Sequence, residues 1–408
     1  MHTPRTTTEI PLVSAPQMSL VLGAPPAPAE REWARLWGQE GTRERLDSWD
    51  GYAAFDAAME RSDLEAARRI AAQTLELAHR QSARADAPPS LRNLAIALDR
   101  VGGIEEALGN LEAARGAYRE SLDTARHLLK VAGGWTPGAL RDLSVSLDNV
   151  GGIEQALGNL EAARGAYRES LEGFRRLLEV LGETPQALRD LCLSLNKVGD
   201  IEEALGNLEA ARGAYRESLG LFRRLLEVLG ETPQALRDLS VSLDNVGGIE
   251  EALGNLEAAR GVYRESLELR RRLLEILGET PQALRDLSVS LDNVGDIEQA
   301  LGNLEAARGA YRESLELRRR LLEVLGETPQ ALRDLSLSLL KVGGIEEALG
   351  NLEAARGAYR EGLEGFRRLR VAFPNHPQFE RDIAYAEARW TAFETRARTA
   401  EGDVRIPG

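Results

Sequence analysis

From Thr136 onward the chain repeats itself every 48 residues. The segments open TPGALRD at Thr136 and TPQALRD at Thr184, Thr232, Thr280 and Thr328, and a looser copy, APPSLRN, opens at Ala87. Residues 232–279 and 280–327 differ only at Gly248/Asp296, Glu251/Gln299, Val262/Ala310 and Ile276/Val324. A period of 20–50 residues marks supersecondary units that bury their apolar faces only by stacking on one another. It also cancels the usual expectation of two or three globular domains for 408 residues, because an array grows without a central core.

Each unit predicts two helices. In 232–279, Thr232 is suited to an N-cap and Pro233 to the first helical position, where a missing N–H does no harm. Leu236, Leu239, Leu243, Val246, Ile249 and Leu253 then recur at spacings of three and four, the mark of one apolar helix face. Gly254-Asn255 interrupts the pattern, and Asn255 is expected to cap the second helix. That helix carries Leu256, Ala259, Tyr263, Leu267, Leu274 and Leu277 and ends at Gly278. Glu268 and Arg272, four apart with the acid first, are expected to pair along it. Links this short make neighbouring helices antiparallel.

Glycine inside a helix costs about 0.5–1 kcal/mol relative to alanine. The units nevertheless keep Gly247 and Gly248 in the first helix and Gly261 in the second. Close helix approach explains this, with a hinge or kink as the alternative.

The stretch Leu243–Leu267, LDNVGGIEEALGNLEAARGVYRESL, resembles the tetratricopeptide repeat. Gly247 stands at that family's small position in the first helix, Gly254 at its turn, and Ala259, Tyr263 and Ser266 at its small, large and small positions in the second. The same pattern recurs at Gly151/Ala163/Tyr167, Gly199/Ala211/Tyr215, Gly295/Ala307/Tyr311 and Gly343/Ala355/Tyr359. The unit is longer than the family's usual one, which leaves superhelix pitch and groove width open. The resemblance implies an all-α fold, a right-handed α-solenoid of tandem antiparallel helix pairs whose first helices line a concave groove.

The expected organisation is a Pro-rich, disordered segment over 1–28, then an N-terminal helix and degenerate capping repeat over 29–86. Six repeats follow (87–135, 136–183, 184–231, 232–279, 280–327, 328–375), then a C-terminal capping helix over 376–400 and a tail over 401–408. Solenoids cover their exposed ends with atypical repeats. Trp33, Trp37, Trp49 and Trp390 fit that role, with a partner-docking patch as the alternative.

Composition narrows the function. A net charge of −14 and a pI near 5.1 disfavour nucleic-acid binding and attraction to anionic membranes. No apolar run reaches the roughly 18–20 residues that span a bilayer, and prolines break up the only apolar patch near the start, so a cytoplasmic protein is expected. Cys192 is the single cysteine, which excludes an intrachain disulfide and a cysteine-based zinc site. It occupies a slot that holds serine in four sister repeats, so a small buried residue is expected there. The four histidines lie in different segments, and phosphate-loop, dinucleotide and HExxH patterns are missing. No catalytic residue, metal or cofactor is therefore expected. The repeating acids predict a solvated, ion-paired face rather than a catalytic pair.

Carried onto this sequence, the family's groove positions imply several rows. The first is Asp148, Asn196, Asp244, Asp292 and Leu340. The second is Asn149, Lys197, Asn245, Asn293 and Lys341. A turn later come Gly152, Asp200, Gly248, Asp296 and Gly344, followed by Gln155, Glu203, Glu251, Gln299 and Glu347. An asparagine amide offers a donor and an acceptor, so it suits the backbone of an extended peptide. Members similar to this chain use an asparagine there for that purpose, with plain solvent exposure as the alternative. Clamping a C-terminal carboxylate needs a lysine at the first row, where Asp148, Asp244 and Asp292 stand. The expected function is therefore a scaffold or adaptor that binds a protein or peptide of some basic character. Alternatives are end-to-end self-association through the terminal caps, or a sensor of a small ligand.

Overall fold

The computed structural model describes residues 48–374 and 376–403, together with Arg31 and Arg35. The expectations for 1–28, for the helix over 29–39 and for Trp33 and Trp37 lie outside the described residues, as does the side chain of Trp49.

The described residues form an all-α solenoid of tandem antiparallel helix pairs. In order they are α1 (Ser48–Glu60), α2 (Leu64–Arg84), α3 (Pro88–Ala107), α4 (Leu111–Val131), α5 (Pro137–Ala156), α6 (Leu160–Leu181), α7 (Pro185–Ala204) and α8 (Leu208–Leu229). Then follow α9 (Pro233–Ala252), α10 (Leu256–Leu277), α11 (Pro281–Ala300), α12 (Leu304–Leu325), α13 (Pro329–Ala348), α14 (Leu352–Ala372) and α15 (Pro377–Asp403). The chain divides into two compact units, Met1–Ala214 and Tyr215–Gly408, with the division inside α8. Within each unit a helix packs chiefly on its neighbours in sequence.

The predicted first-helix starts are real caps. The side chains of Thr136, Thr184, Thr232, Thr280 and Thr328 accept the backbone N–H of Ala139, Ala187, Ala235, Ala283 and Ala331, with proline next in line. The turn between paired helices is a Schellman motif. In 232–279, Gly254 has φ 80°, its N–H bonds the Glu251 carbonyl at 2.9 Å, and the Asn255 N–H bonds the Glu250 carbonyl at 2.8 Å.

Asn255 does not cap α10 with its side chain, contrary to expectation. Its Nδ2 turns back to donate to Glu250 Oε2 at 2.7 Å. The other oxygen of Glu250 accepts Arg216 Nη2 at 2.5 Å from the preceding second helix. Asn303, Glu298 and Arg264 make the same three-way joint, as do Asn159, Glu154 and Arg119 in the first unit. Glu250 and Glu298 are both buried, so this row of acids belongs to the packing and not to a solvated face. A buried carboxylate is tolerable because both oxygens have charged or amide donors.

Gly247 explains itself. A β-carbon there would stand 2.5 Å from Tyr263 Cε1, so the bare backbone is where the tyrosine ring lies. Gly151 and Gly295 meet Tyr167 and Tyr311 in the same way. Gly261 does not fit the close-approach expectation: nothing lies within 4 Å of where its β-carbon would be, and we have no physical account of it. Arg272 also departs from expectation. It pairs with Glu231 in the loop before α9, while Glu268 takes Arg271 at 3.2 Å.

The apolar face of α9 is buried as the periodicity predicts, with Leu236, Leu239, Leu243, Val246 and Ile249 all in the core. Cys192 is buried too. In the second unit α15 lays Phe379, Ile383, Ala386 and Phe393 on residues of α13 and α14, and Trp390 packs against the same cluster.

Candidate partner-binding face

On the first helices, residues four apart lie one above the other on one face. Val241 and Asn245 are such a pair on α9, and Val289 and Asn293 on α11. Val241 is 44% exposed and Val289 40%. Both asparagines are half-buried. The first unit carries its own copy: Val145 and Asn149 on α5, then Leu193 (46% exposed) and Lys197 on α7. Each unit thus displays aliphatic side chains beside polar ones on the helices that open its repeats.

The first-row acids lie deeper than a groove-facing row would. Asp148 and Asp292 are buried, and Asp244 is half-buried. Each has an internal cation. Lys197 Nζ, from the next first helix, donates to Asp148 Oδ2 at 2.8 Å. Arg270 pairs with Asp244, and Arg318 Nη2 with Asp292 Oδ2 at 2.5 Å. Arg270 and Arg318 are themselves buried and stand on second helices, at the place Phe174 and Phe366 take in sister repeats. Arg270 also donates through Nη1 to the Asp286 carbonyl at 2.5 Å and through Nε to Ser240 Oγ at 3.3 Å. Burial pushes the Asp244 carboxyl up from its ordinary value, with Arg270, Ser266 and Asn293 opposing the rise. The row therefore contributes much less open negative charge than its sequence suggests.

The second row is tied to the first across repeats. Asn293 lies beside Asp244 and Asn149 beside Asp99, where each amide favours the charged carboxylate. Lys341 Nζ instead bonds Asp296, at 2.7 and 2.9 Å, and stands 5.5 Å from the Tyr311 ring centroid. An asparagine amide carries both donors and an acceptor for a ligand. Glu251 is held as well, by Tyr263 Oη, which donates to its Oε2 at 3.3 Å; Tyr311 Oη donates to Asp296 Oδ1 at 2.6 Å and lies 3.0 Å from Gln299 Oε1. Burial, then Asp296, pushes the Tyr311 hydroxyl up, so it stays a donor.

Besides the exposed valines of the first helices, two features escaped the sequence. One is Asp99, the counterpart of Asp148 in the looser first copy, hidden by the shift from 48 to 49 residues between openings. The other is a second exposed aliphatic column at the ends of second helices: Val180 in the first unit, and Val228, Ile276 and Val324 in the second. Their constant place in the period was the available signal. Among the described residues no group of His, Cys, Asp or Glu is arranged to hold a metal ion, and no helix is long and apolar enough to cross a membrane.

The sequence signature of the tetratricopeptide repeat matches residues 143–180, 239–276 and 287–324. Each match begins on a core leucine of a first helix and ends near the last turn of its second. These are tetratricopeptide repeats. A search of curated protein sequences gives no match. Among solved structures, the apo form of RapI is similar, with a TM-score of 0.54 at 15% identity, covering 84% of this chain and 86% of RapI. BtubC (BKLC) from P. vanneervenii is similar over 65% of this chain and 93% of its own, with a TM-score of 0.50 at 20% identity. At such identities the likeness concerns the tetratricopeptide fold alone.

Proposed function

We propose that this tetratricopeptide array is a protein-interaction scaffold that takes an extended peptide or a protein segment along its first helices. The supporting observation is the column of exposed aliphatic residues there, each four positions from an amide or amine. Isolated apolar side chains on a surface need no explanation, but a column recurring on successive helices is a contact surface. In the second unit Val241 and Val289 supply apolar area, while Asn245 and Asn293 face the partner's backbone with amide groups. In the first unit Val145 and Leu193 stand beside Asn149 and Lys197. The protein acts by binding and not by turnover, and a cytoplasmic place in a bacterial cell belongs to the same proposal. A partner of some basic character suits the acidic chain. The burial of Phe379, Ile383 and Phe393 of α15 against α13 and α14 speaks for a partner on the helix face over end-to-end stacking.

The test is capture from source lysate by three proteins. They are the native chain, a variant with Asn149, Asn245 and Asn293 as Ala plus Val241 and Val289 as Ser, and a control with Val228 and Ile276 as Ser. Partners lost from the first variant and kept by the control support the proposal. Full recovery of every partner by the first variant overturns it.

A further inference from the structure

Four repeats place an aspartate at the same point of the first helix: Asp99, Asp148, Asp244 and Asp292. In three of them the protein supplies a cation from one of two places. The next first helix gives Lys197 to Asp148, and the repeat's own second helix gives Arg270 to Asp244 and Arg318 to Asp292. At Asp99 both places hold uncharged residues: Asn149 stands where Lys197 does, and Ala125 where Arg270 and Arg318 do. Among the described residues no Lys, Arg or His pairs with Asp99.

The cations close by are engaged elsewhere. Arg100 pairs with Asp56 and lies over the rings of Tyr52 and Phe55, at 4.6 and 4.9 Å from their centroids. Arg92 Nε bonds Asp142 Oδ2 at 2.6 Å. Asp142 itself adds repulsion at Asp99. Asp99 Oδ1 is buried with no hydrogen-bond partner, as is Oδ1 of Asp148, Asp244 and Asp292, so the missing cation is what sets Asp99 apart. Burial holds the group up at about 6, with the nearby Ser121 and Asn149 opposing the rise. The residue as a whole is only half-buried, and the Lys197 side chain that serves Asp148 is 40% exposed. Half-buried, Asp99 keeps part of its surface toward solvent, the side from which a cation can arrive.

We propose that Asp99 is a receptor for a cationic side chain, an arginine or lysine of the peptide that lies on the first helices. This rests on the interaction proposal above and adds which residue selects the partner and by what charge. The bound cation does for Asp99 what Lys197, Arg270 and Arg318 do for its three counterparts. Asn149, beside the same carboxyl, offers amide capacity for the backbone next to that side chain. An acid left unpaired in one repeat of four gives the array a register mark, since a basic residue finds this partner at one place only.

The test uses the full chain with 13C-labelled aspartate carboxyls and Asp99→Asn to assign the signal. The probe is N-acetyl-arginine-N-methylamide, with its lysine and citrulline analogues, at ionic strength held constant by sodium chloride. In the protein alone Asp99 should titrate above the ordinary aspartate range. The arginine and lysine probes should shift it saturably and lower its titration by about one unit, as an adjacent opposite charge does. Citrulline should leave it unmoved, and Asp148 and Asp292 should not respond. An Asp99 that titrates low in the protein alone already has a cation of its own, which overturns the proposal. So does a response equal for citrulline, or equal at Asp148. If partners captured in the lysate experiment depend on Val241 and Val289 while the probes fail at Asp99, the scaffold proposal stands and this one falls. If the probes saturate Asp99 while the lysate yields no partner, the cation receptor stands and the scaffold proposal falls.

Discussion

Replacing Arg270 by Phe removes the cation from Asp244 and, with it, the bonds to Ser240 and the Asp286 carbonyl. The Arg270 side chain is 7% exposed and that of Asp244 17%, so solvent replaces little of what is lost. Breaking a buried ion pair from one side costs about 3–5 kcal/mol, because the other charge stays buried. Asp244→Leu alone should cost a similar amount by stranding the guanidinium. The double variant is different, because the protein already contains it: Leu340 and Phe366 occupy the two corresponding positions, buried in one apolar cluster. Asp244→Leu with Arg270→Phe should therefore fold with stability within about 1 kcal/mol of native, or above it. The coupling between the two substitutions should reach several kcal/mol. Arrays unfold in parts, so urea melts should be joined by amide exchange in α9, α10 and α11. A double variant that loses as much as the two singles together would refute the reasoning. Since burial holds Asp244 above its ordinary value, Arg270→Phe should be milder in acid, where the stranded carboxyl takes a proton, than at pH 8.

Glycine substitutions should separate by neighbourhood. Gly247→Ala meets the Tyr263 ring and should cost about 1–3 kcal/mol, whereas Gly261→Ala, in open helical space, should stabilise by about 0.5–1 kcal/mol. Thermal melts of both variants check this. Asp99 has its folded value raised from 3.8 to about 6, so the native state binds the proton more tightly than the unfolded chain. Its contribution is fully present below about pH 4 and is lost as the pH rises through 6, a difference of about 3 kcal/mol. Asp99→Asn should accordingly match the native protein in acid and exceed it at pH 8 in urea melts; an unchanged difference across that range would contradict the assignment. Glu250→Ala strips the acceptor from Arg216 and Asn255; Arg216 is 55% exposed and regains water, so the loss should be about 1–2 kcal/mol. Faster amide exchange around the α9–α10 turn is the local sign to look for.

The fold was legible because its determinants are local and repeat. The Thr-Pro opening, the leucine spacing and Gly254 each specify backbone within a few residues, and five copies, with a looser sixth, say the same thing. What stayed hidden depends on partners one repeat away. Asn255 is a plausible cap by type, but Glu250 beside it and Arg216 beyond it compete better for its amide. Arg272 has Glu268 one turn back, yet Glu231 reaches it across the stack. The first row was placed in the groove by the resemblance alone, and the depth of its acids was not legible. Nothing within a single repeat shows that Arg270 stands where Phe366 does and draws Asp244 inward. The exposed column at Val241 and Val289 was missed for a related reason: in a chain this rich in leucine, an outward valine is told from an inward one only by its phase against the helix contacts.

The joint at Glu250 has an evolutionary side. Arg216 bonds Glu250 across the boundary that Arg264 and Glu298 span in the next copy. Excising residues 232–279 would bring Arg216 opposite Glu298 and Asn303, with every donor and acceptor replaced in kind. Slippage during replication can therefore lengthen or shorten the gene by whole copies while each seam still closes. Changing the length of the array takes one recombination event and no new chemistry.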